Sequence, residues 1–205
     1  MPKSESSPKP RRRDALTNRR LLIRTALDLL IECKGPQFTL VELGQRAGLG
    51  TATVYRHFSD MDELLAGLNE FVLGDLIEAI SGGMPDGTAT ERLHHACVAW
   101  VDRINTWGRA SAHVRESEGI LSRLHADDPF AVRLANALRP VIEDLAAASL
   151  IPRQDFDIAF LLWVTTFDER VVNDLRDCCH LPTHEVAALL EGTVLASWRS
   201  VGASG

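Results

Sequence analysis

Apolar residues recur along this chain at helical spacing, and no segment shows the two-residue alternation of a half-buried strand. Leu22, Ala26, Leu29, Leu30 and Cys33 share one face, which predicts a helix from about Asn18 to Lys34, ended by Gly35-Pro36. Thr39 and Glu42 have capping-box spacing and Phe38 is placed to staple onto Leu43, so a second helix opens at Leu40 with Leu40, Leu43 and Ala47 on its inner face. A tight Ala47-Gly48-Leu49 turn and Gly50 lead into a third helix over about Thr51–Phe58, with Val54 and Phe58 inward. Asp60 and Glu63 repeat the capping pattern and open a helix reaching roughly Ile80. After the Gly/Pro cluster of residues 82–87, Thr88 and Glu91 cap a helix striped by Leu93, Cys97, Trp100, Val101 and Ile104. Further helices are expected near residues 110–126 and 129–149, the latter kinked or interrupted at Pro140. A helix from Asp155 to about Asp177 and one from Thr183 to about Trp198 complete an all-α chain of about nine helices.

Composition places the chain among ordinary soluble globular proteins, with 45% apolar and 24% charged residues. No apolar run approaches the ~20 residues of a membrane span and no signal-peptide core is present, so a cytoplasmic protein is expected. Cys33, Cys97, Cys178 and Cys179 show no disulfide-scaffold spacing, which fits a reducing compartment. Charge changes the picture more. Residues 1–60 carry 11 Lys/Arg against 6 Asp/Glu, whereas the remainder carries 11 Arg against 22 Asp/Glu and no lysine. A basic head on an acidic body fits a polyanion-binding module joined to a part that stays off the polyanion.

The head contains the chain's most specific pattern. Residues 39–58, TLVELGQRAGLGTATVYRHF, place a capped helix, a Gly turn and a short polar helix in the order of a helix-turn-helix. Thr51, Ala52 and Thr53 are small or hydrogen-bonding, as base-edge readout at the start of a recognition helix requires. Tyr55, Arg56 and His57 are larger polar groups suited to flanking phosphates, which set register without reading sequence. Residues 1–17 are expected to be a disordered basic arm, with Arg11, Arg12 and Arg13 touching phosphates or an adjacent minor groove.

From about residue 19 to 68 the chain resembles the DNA-binding domain of the TetR family of bacterial regulators. The resemblance rests on the first helix, the TLVELGQRAGL and TVYRHF segments and the DELLAGL opening of the fourth helix. It implies an N-terminal three-helix domain over residues 18–65 and a helical ligand-binding and dimerisation domain over 66–205. It also implies a homodimer on a near-palindromic operator, usually a repressor released by a small molecule. By the resemblance, Thr53, Tyr55 and His57 match positions that contact the DNA backbone or base edges, and Thr51 and Ala52 match positions that set operator sequence; Thr39, Arg56 and the arm arginines complete the candidate DNA-contacting set. Two departures remove charged contacts. Ser59-Asp60-Met61 stands where the family often has Pro-Ser-Lys, and Gly50-Thr51 where it often has Ser-Arg. Arg19 and Arg20 are expected to compensate with the arm.

Beyond residue 68 the residues must speak alone. Phe156, Phe160, Trp163 and Phe167 form an aromatic stripe, and Trp100 and Trp107 share a face of an earlier helix. Such aromatics fill a core or line an apolar cavity for an acyl, lactone or similar effector; the candidate lining is Trp100, Ile104, Trp107, Leu121, Phe160, Trp163, Phe167 and Asp168. Asp168 is a candidate to orient a polar ligand group or pair with an arginine across a dimer. Leu161, Val164, Val186, Leu189, Leu190, Val194 and Trp198 are the candidate dimer surface, burial within the protomer being the alternative for each. Cys178-Cys179-His180 with His184 lacks metal-ligand spacing, so no metal or other cofactor is expected. No HExxH, GxSxG or phosphate-cradling loop supports an enzyme. The expected function is a ligand-responsive repressor; the rivals are an activator of the same fold, a scaffold with a vestigial head, and a helical carrier or enzyme.

Overall fold

The computed structural model describes residues 9–33, 35–111 and 119–201, with side chains described from Asp14 onward except over 105–111. The described residues form ten α-helices and no strand: α1 (Lys9–Cys33), α2 (Leu40–Ala47), α3 (Thr51–His57), α4 (Met61–Ser81), α5 (Ala89–Ser111), α6 (Ile120–His125), α7 (Pro129–Ala147), α8 (Phe156–Thr166), α9 (Glu169–Asp177) and α10 (Thr183–Val201). The chain divides into two compact units, Met1–Phe71 and Val72–Gly205, the division falling within α4.

In the first unit Leu22, Ile23, Ala26, Leu27 and Leu30 of α1 are buried with Leu40 and Leu43 of α2, Val54 of α3 and the Phe58 that follows it. The helix starts and stops have local causes. The Glu42 amide donates to Thr39 Oγ1 at 3.1 Å and the Thr39 amide to Glu42 Oε2 at 2.7 Å, closing the capping box. Gly48 ends α2 at φ 67°, a left-handed conformation that a side chain disfavours. Gly44 serves a different need: a Cβ there would lie 2.9 Å from Val54 Cγ2 and 3.1 Å from the Leu49 carbonyl oxygen. Bare backbone at that point is what lets α2 and α3 cross closely.

The start of α1 differs from expectation. Residues 9–17 are helical, where a disordered arm was expected, and residues 1–8 lie outside the described part. No apolar stripe marks the extension, since Leu16 is 64% exposed. A helix already nucleated at residues 18–33 propagates backwards at little cost through helix-forming Arg, Ala and Leu, and Pro10 falls in the first turn, where its missing N–H is not needed.

The second unit has one continuous core drawn from α5, α7, α8, α9, α10 and the end of α4. Pro140 does not interrupt α7. Pro140 and Asn136 both face solvent, so the Asn136 carbonyl that loses its partner is open to water. The helix expected from Asp155 to Asp177 is two helices. Asp168 accepts from the Arg170 amide at 2.9 Å and starts α9 as an N-cap, after α8 has ended at Thr166. Of the helix expected near 110–126, α5 supplies the end at Ser111 and α6 supplies Ile120–His125; residues 112–118 are not described.

Candidate nucleic-acid interface

The outer face of α3 is polar and open, while its inner face is anchored. Val54 and Phe58 are fully buried; Thr51, Ala52, Tyr55 and Arg56 are exposed, and Thr53 and His57 are half-buried. Tyr55 keeps 51% of its surface accessible. A large aromatic left outside an otherwise well-filled core is suited to an external partner. Six of the expected contact residues therefore share one seven-residue helix. Thr39 is exposed too, but its hydroxyl is committed to Glu42, donating to Oε2 at 2.9 Å and accepting from the amide. Arg11, Arg12 and Arg13 lie in the first turns of α1, and their side chains are outside the described part.

Burial and two arginines set the electrostatics at the C-terminal end of α3. Burial, followed by the nearby Arg19 and Arg56 charges, pushes the His57 imidazole below its ordinary 6.5, so it is neutral at pH 7. His57 thus offers a hydrogen-bond donor and acceptor rather than a charge. Arg19 does not turn outward as a compensating contact. Its Nη1 donates to the His57 carbonyl at 3.1 Å, and its guanidinium sits 4.5 Å from the centroid of the Phe58 ring. Arg20 and Arg24 are exposed on α1. At the start of α4, Asp60 accepts from the Glu63 amide at 2.8 Å and Glu63 accepts from the Ser59 amide at 2.7 Å. Where the sequence lacks a phosphate-binding lysine, the structure has half-buried Met61 between carboxylates.

In the second unit, a cavity of about 180 Å³ is lined by residues of α4, α5, α6, α7 and α8 and by the α8–α9 junction. Of the candidate lining, Trp100, Ile104, Phe167 and Asp168 border this cavity; Leu121 does not, and the Trp107 side chain is outside the described part. Phe160 and Trp163 are fully buried and fill the core instead. Trp163 stacks on Phe167 at 4.6 Å and on Trp198 at 5.9 Å, and Phe160 stacks on Phe156 at 5.7 Å. Val164, expected at a dimer surface, lines the cavity. So do Leu73, Phe130 and Arg103, which no local pattern in the sequence singles out. Asp168 is engaged within its own chain, by Arg170 Nε at 2.9 Å.

The expected dimer surface also splits. Val186, Leu190, Val194 and Trp198 are buried in the protomer's own core, with Trp198 Nε1 donating to the Ala159 carbonyl at 3.0 Å. These four point inward because α10 packs on α5 and α8 along that face. Leu161 and Leu189 are exposed, and Ile158, one turn before Leu161, joins them. Among the described residues no cluster of His, Cys, Asp or Glu is placed to hold a metal ion. Cys178 and Cys179 are exposed, and burial pushes the Cys97 thiol well above its ordinary range. No described helix is long and apolar enough to cross a membrane.

Residues 22–68 match the family model described as bacterial regulatory proteins, tetR family. No curated protein is significantly similar in sequence. Among solved structures, the fatty acid degradation regulator FadR from Bacillus halodurans is 17% identical with a TM-score of 0.69, the alignment covering 86% of this chain and 97% of that one. FadR from Bacillus subtilis, solved with stearoyl-CoA, gives the same identity, TM-score and coverage. The TetR-family regulator PfmR from Thermus thermophilus is 20% identical with a TM-score of 0.65, covering 86% of this chain and 97% of that one. At these identities the structures carry the fold, and the family model carries the head. Residues 22–68 thus match the model of the tetR family of bacterial regulatory proteins, and the fold is similar to that of solved structures described as members of that family.

Proposed function

We propose that this protein is a cytoplasmic, homodimeric transcriptional repressor that leaves a near-palindromic operator when a mostly apolar small molecule, of acyl or lactone type, binds its second unit. The observation that carries the reading is the outer face of α3, where Thr51, Ala52, Thr53, Tyr55, Arg56 and His57 stand clear of the buried Val54 and Phe58. Small groups come first along the helix and large polar groups last. That order suits base edges near the helix start and phosphates further on.

A dimer supports the rest, since one seven-residue helix reads too few base pairs for useful specificity and paired half-sites double the contact. The exposed Ile158, Leu161 and Leu189 supply an apolar surface for that pairing. The cavity holding Trp100, Phe130 and Phe167 supplies the effector site, and Arg103 and Glu169 supply its polar groups. Effector acts only through unequal affinity for the two dimer states, so operator weakens effector binding by the same factor.

The test is selection of duplexes by the full chain from a randomised DNA pool, followed by titration of the selected sequence. The reading expects an inverted repeat, bound by two protomers and released by one class in a panel of acyl compounds and lactones. A pool that shows no enriched sequence would overturn it.

A further inference from the structure

The sequence offers Arg19 as an outward phosphate contact, but the structure aims it the other way. Its Nη1 reaches the His57 carbonyl, on the last residue of α3, across 38 positions of sequence. That carbonyl is one of the four at a helix C-terminus that no intrahelical amide can satisfy. The flat guanidinium lies over the Phe58 ring, whose own side chain is fully buried. The packing around it is close: a Cβ on Gly67 would fall 3.0 Å from Arg19 Nη2 and 3.1 Å from Phe58 Cε1. α1, the end of α3 and α4 thus converge on one side chain, and α4 leaves out a Cβ at the point of convergence.

We infer that Arg19 is a positioning residue, a strut from α1 that fixes the angle and the C-terminal end of the recognition helix instead of touching DNA itself. The inference rests on the reading of α3 as the recognition helix. A guanidinium suits the task better than an ammonium, because it donates in its plane to a carbonyl while its face covers an aromatic ring. The same charge has a second consequence. Arg19 and Arg56 are the cations acting on His57, from α1 and from its own helix, and the carboxylate of Glu63 on α4 is held by the Ser59 amide. Removing Arg19 therefore removes both the strut and part of what keeps His57 neutral.

The test uses the full chain carrying Arg19→Met, Arg19→Gln or Arg19→Lys, titrated with the duplex selected by the unaltered chain. Arg19→Met is expected to weaken binding about tenfold or more while the slope of log K against log salt stays that of the unaltered chain; a lost phosphate contact instead lowers that slope by about one. The His57 imidazole, followed by NMR in the free protein, is expected to titrate at higher pH in Arg19→Gln and Arg19→Met and at its original pH in Arg19→Lys. Arg19→Lys, which keeps the charge, guards against a fold lost in the other two. A slope reduced by one, or unaltered affinity in Arg19→Met, or a His57 titration indifferent to Arg19, would overturn the inference. Failure of the unaltered chain to select any duplex would overturn the repressor reading and this inference with it, whereas the outcomes above, read on an unaltered chain that binds its duplex, overturn the inference alone.

Discussion

At Gly44 the geometry of the head depends on a missing atom. A Cβ would meet Val54 Cγ2 at 2.9 Å and a backbone oxygen at 3.1 Å, and neither can move without separating α2 from α3. Alanine gains up to about 1 kcal/mol of helix propensity, while overpacking of this kind costs about 1–3 kcal/mol. Gly44→Ala is therefore expected to lower stability in urea unfolding and to weaken DNA binding more than its stability loss alone explains. The acidic capping residues make a second prediction at this scale. Hydrogen bonds from Thr39, from Ser59 and from Thr88 hold the Glu42, Glu63 and Glu91 carboxyls, respectively, below their ordinary 4.5. A carboxyl lowered in the folded state stabilises the protein above its unfolded value and loses that contribution as pH falls through its folded value. Urea midpoints measured between pH 7 and pH 3 should thus fall below about pH 4.5, and the fall should be shallower in Glu42→Gln.

Among the elements, the caps and stripes of the first unit were written plainly in the sequence. Thr39 with Glu42, and Gly48 after Ala47, fix both ends of α2 through contacts three or four residues long, which a linear reading can see. What failed were boundaries decided by distant packing. One local contact was missed as well: Asp168, read as a candidate ligand group from its place after the aromatic stripe, lies two residues before Arg170 and caps α9 by accepting from its amide. Val186, Leu190, Val194 and Trp198 looked as exposed as Leu189 in sequence, because helical spacing identifies a stripe without saying which neighbour covers it. Trp100 shows how the junction is held: its Nε1 donates to the Phe167 carbonyl at 3.0 Å, in a buried position between α8 and α9. Trp100→Phe keeps an aromatic ring and strands that carbonyl, at a cost of about 1–3 kcal/mol in unfolding free energy. Asp168→Ala removes the α9 cap and is expected to cost about 1 kcal/mol in the same measurement.

For the whole molecule, the division of charge matches the proposed division of labour. The basic head carries α3, and the acidic remainder carries the cavity and the apolar surface of α8 and α10. Leu161 and Leu189 are 42% and 48% exposed in the protomer, so charging them disturbs little internal packing. Leu161→Glu combined with Leu189→Glu is expected to give folded monomers by light scattering and to lose operator binding with them; a dimer that survives both changes would place the pairing surface elsewhere. The central claim is that α3 reads DNA sequence, and it is tested most directly by titrating the full chain against its selected duplex and against the same duplex with scrambled bases, over a range of salt. The account predicts a preference of about a thousandfold or more for the selected duplex, lost when Thr53 and Tyr55 are both replaced by alanine. Equal affinity for the two duplexes at every salt concentration would contradict it.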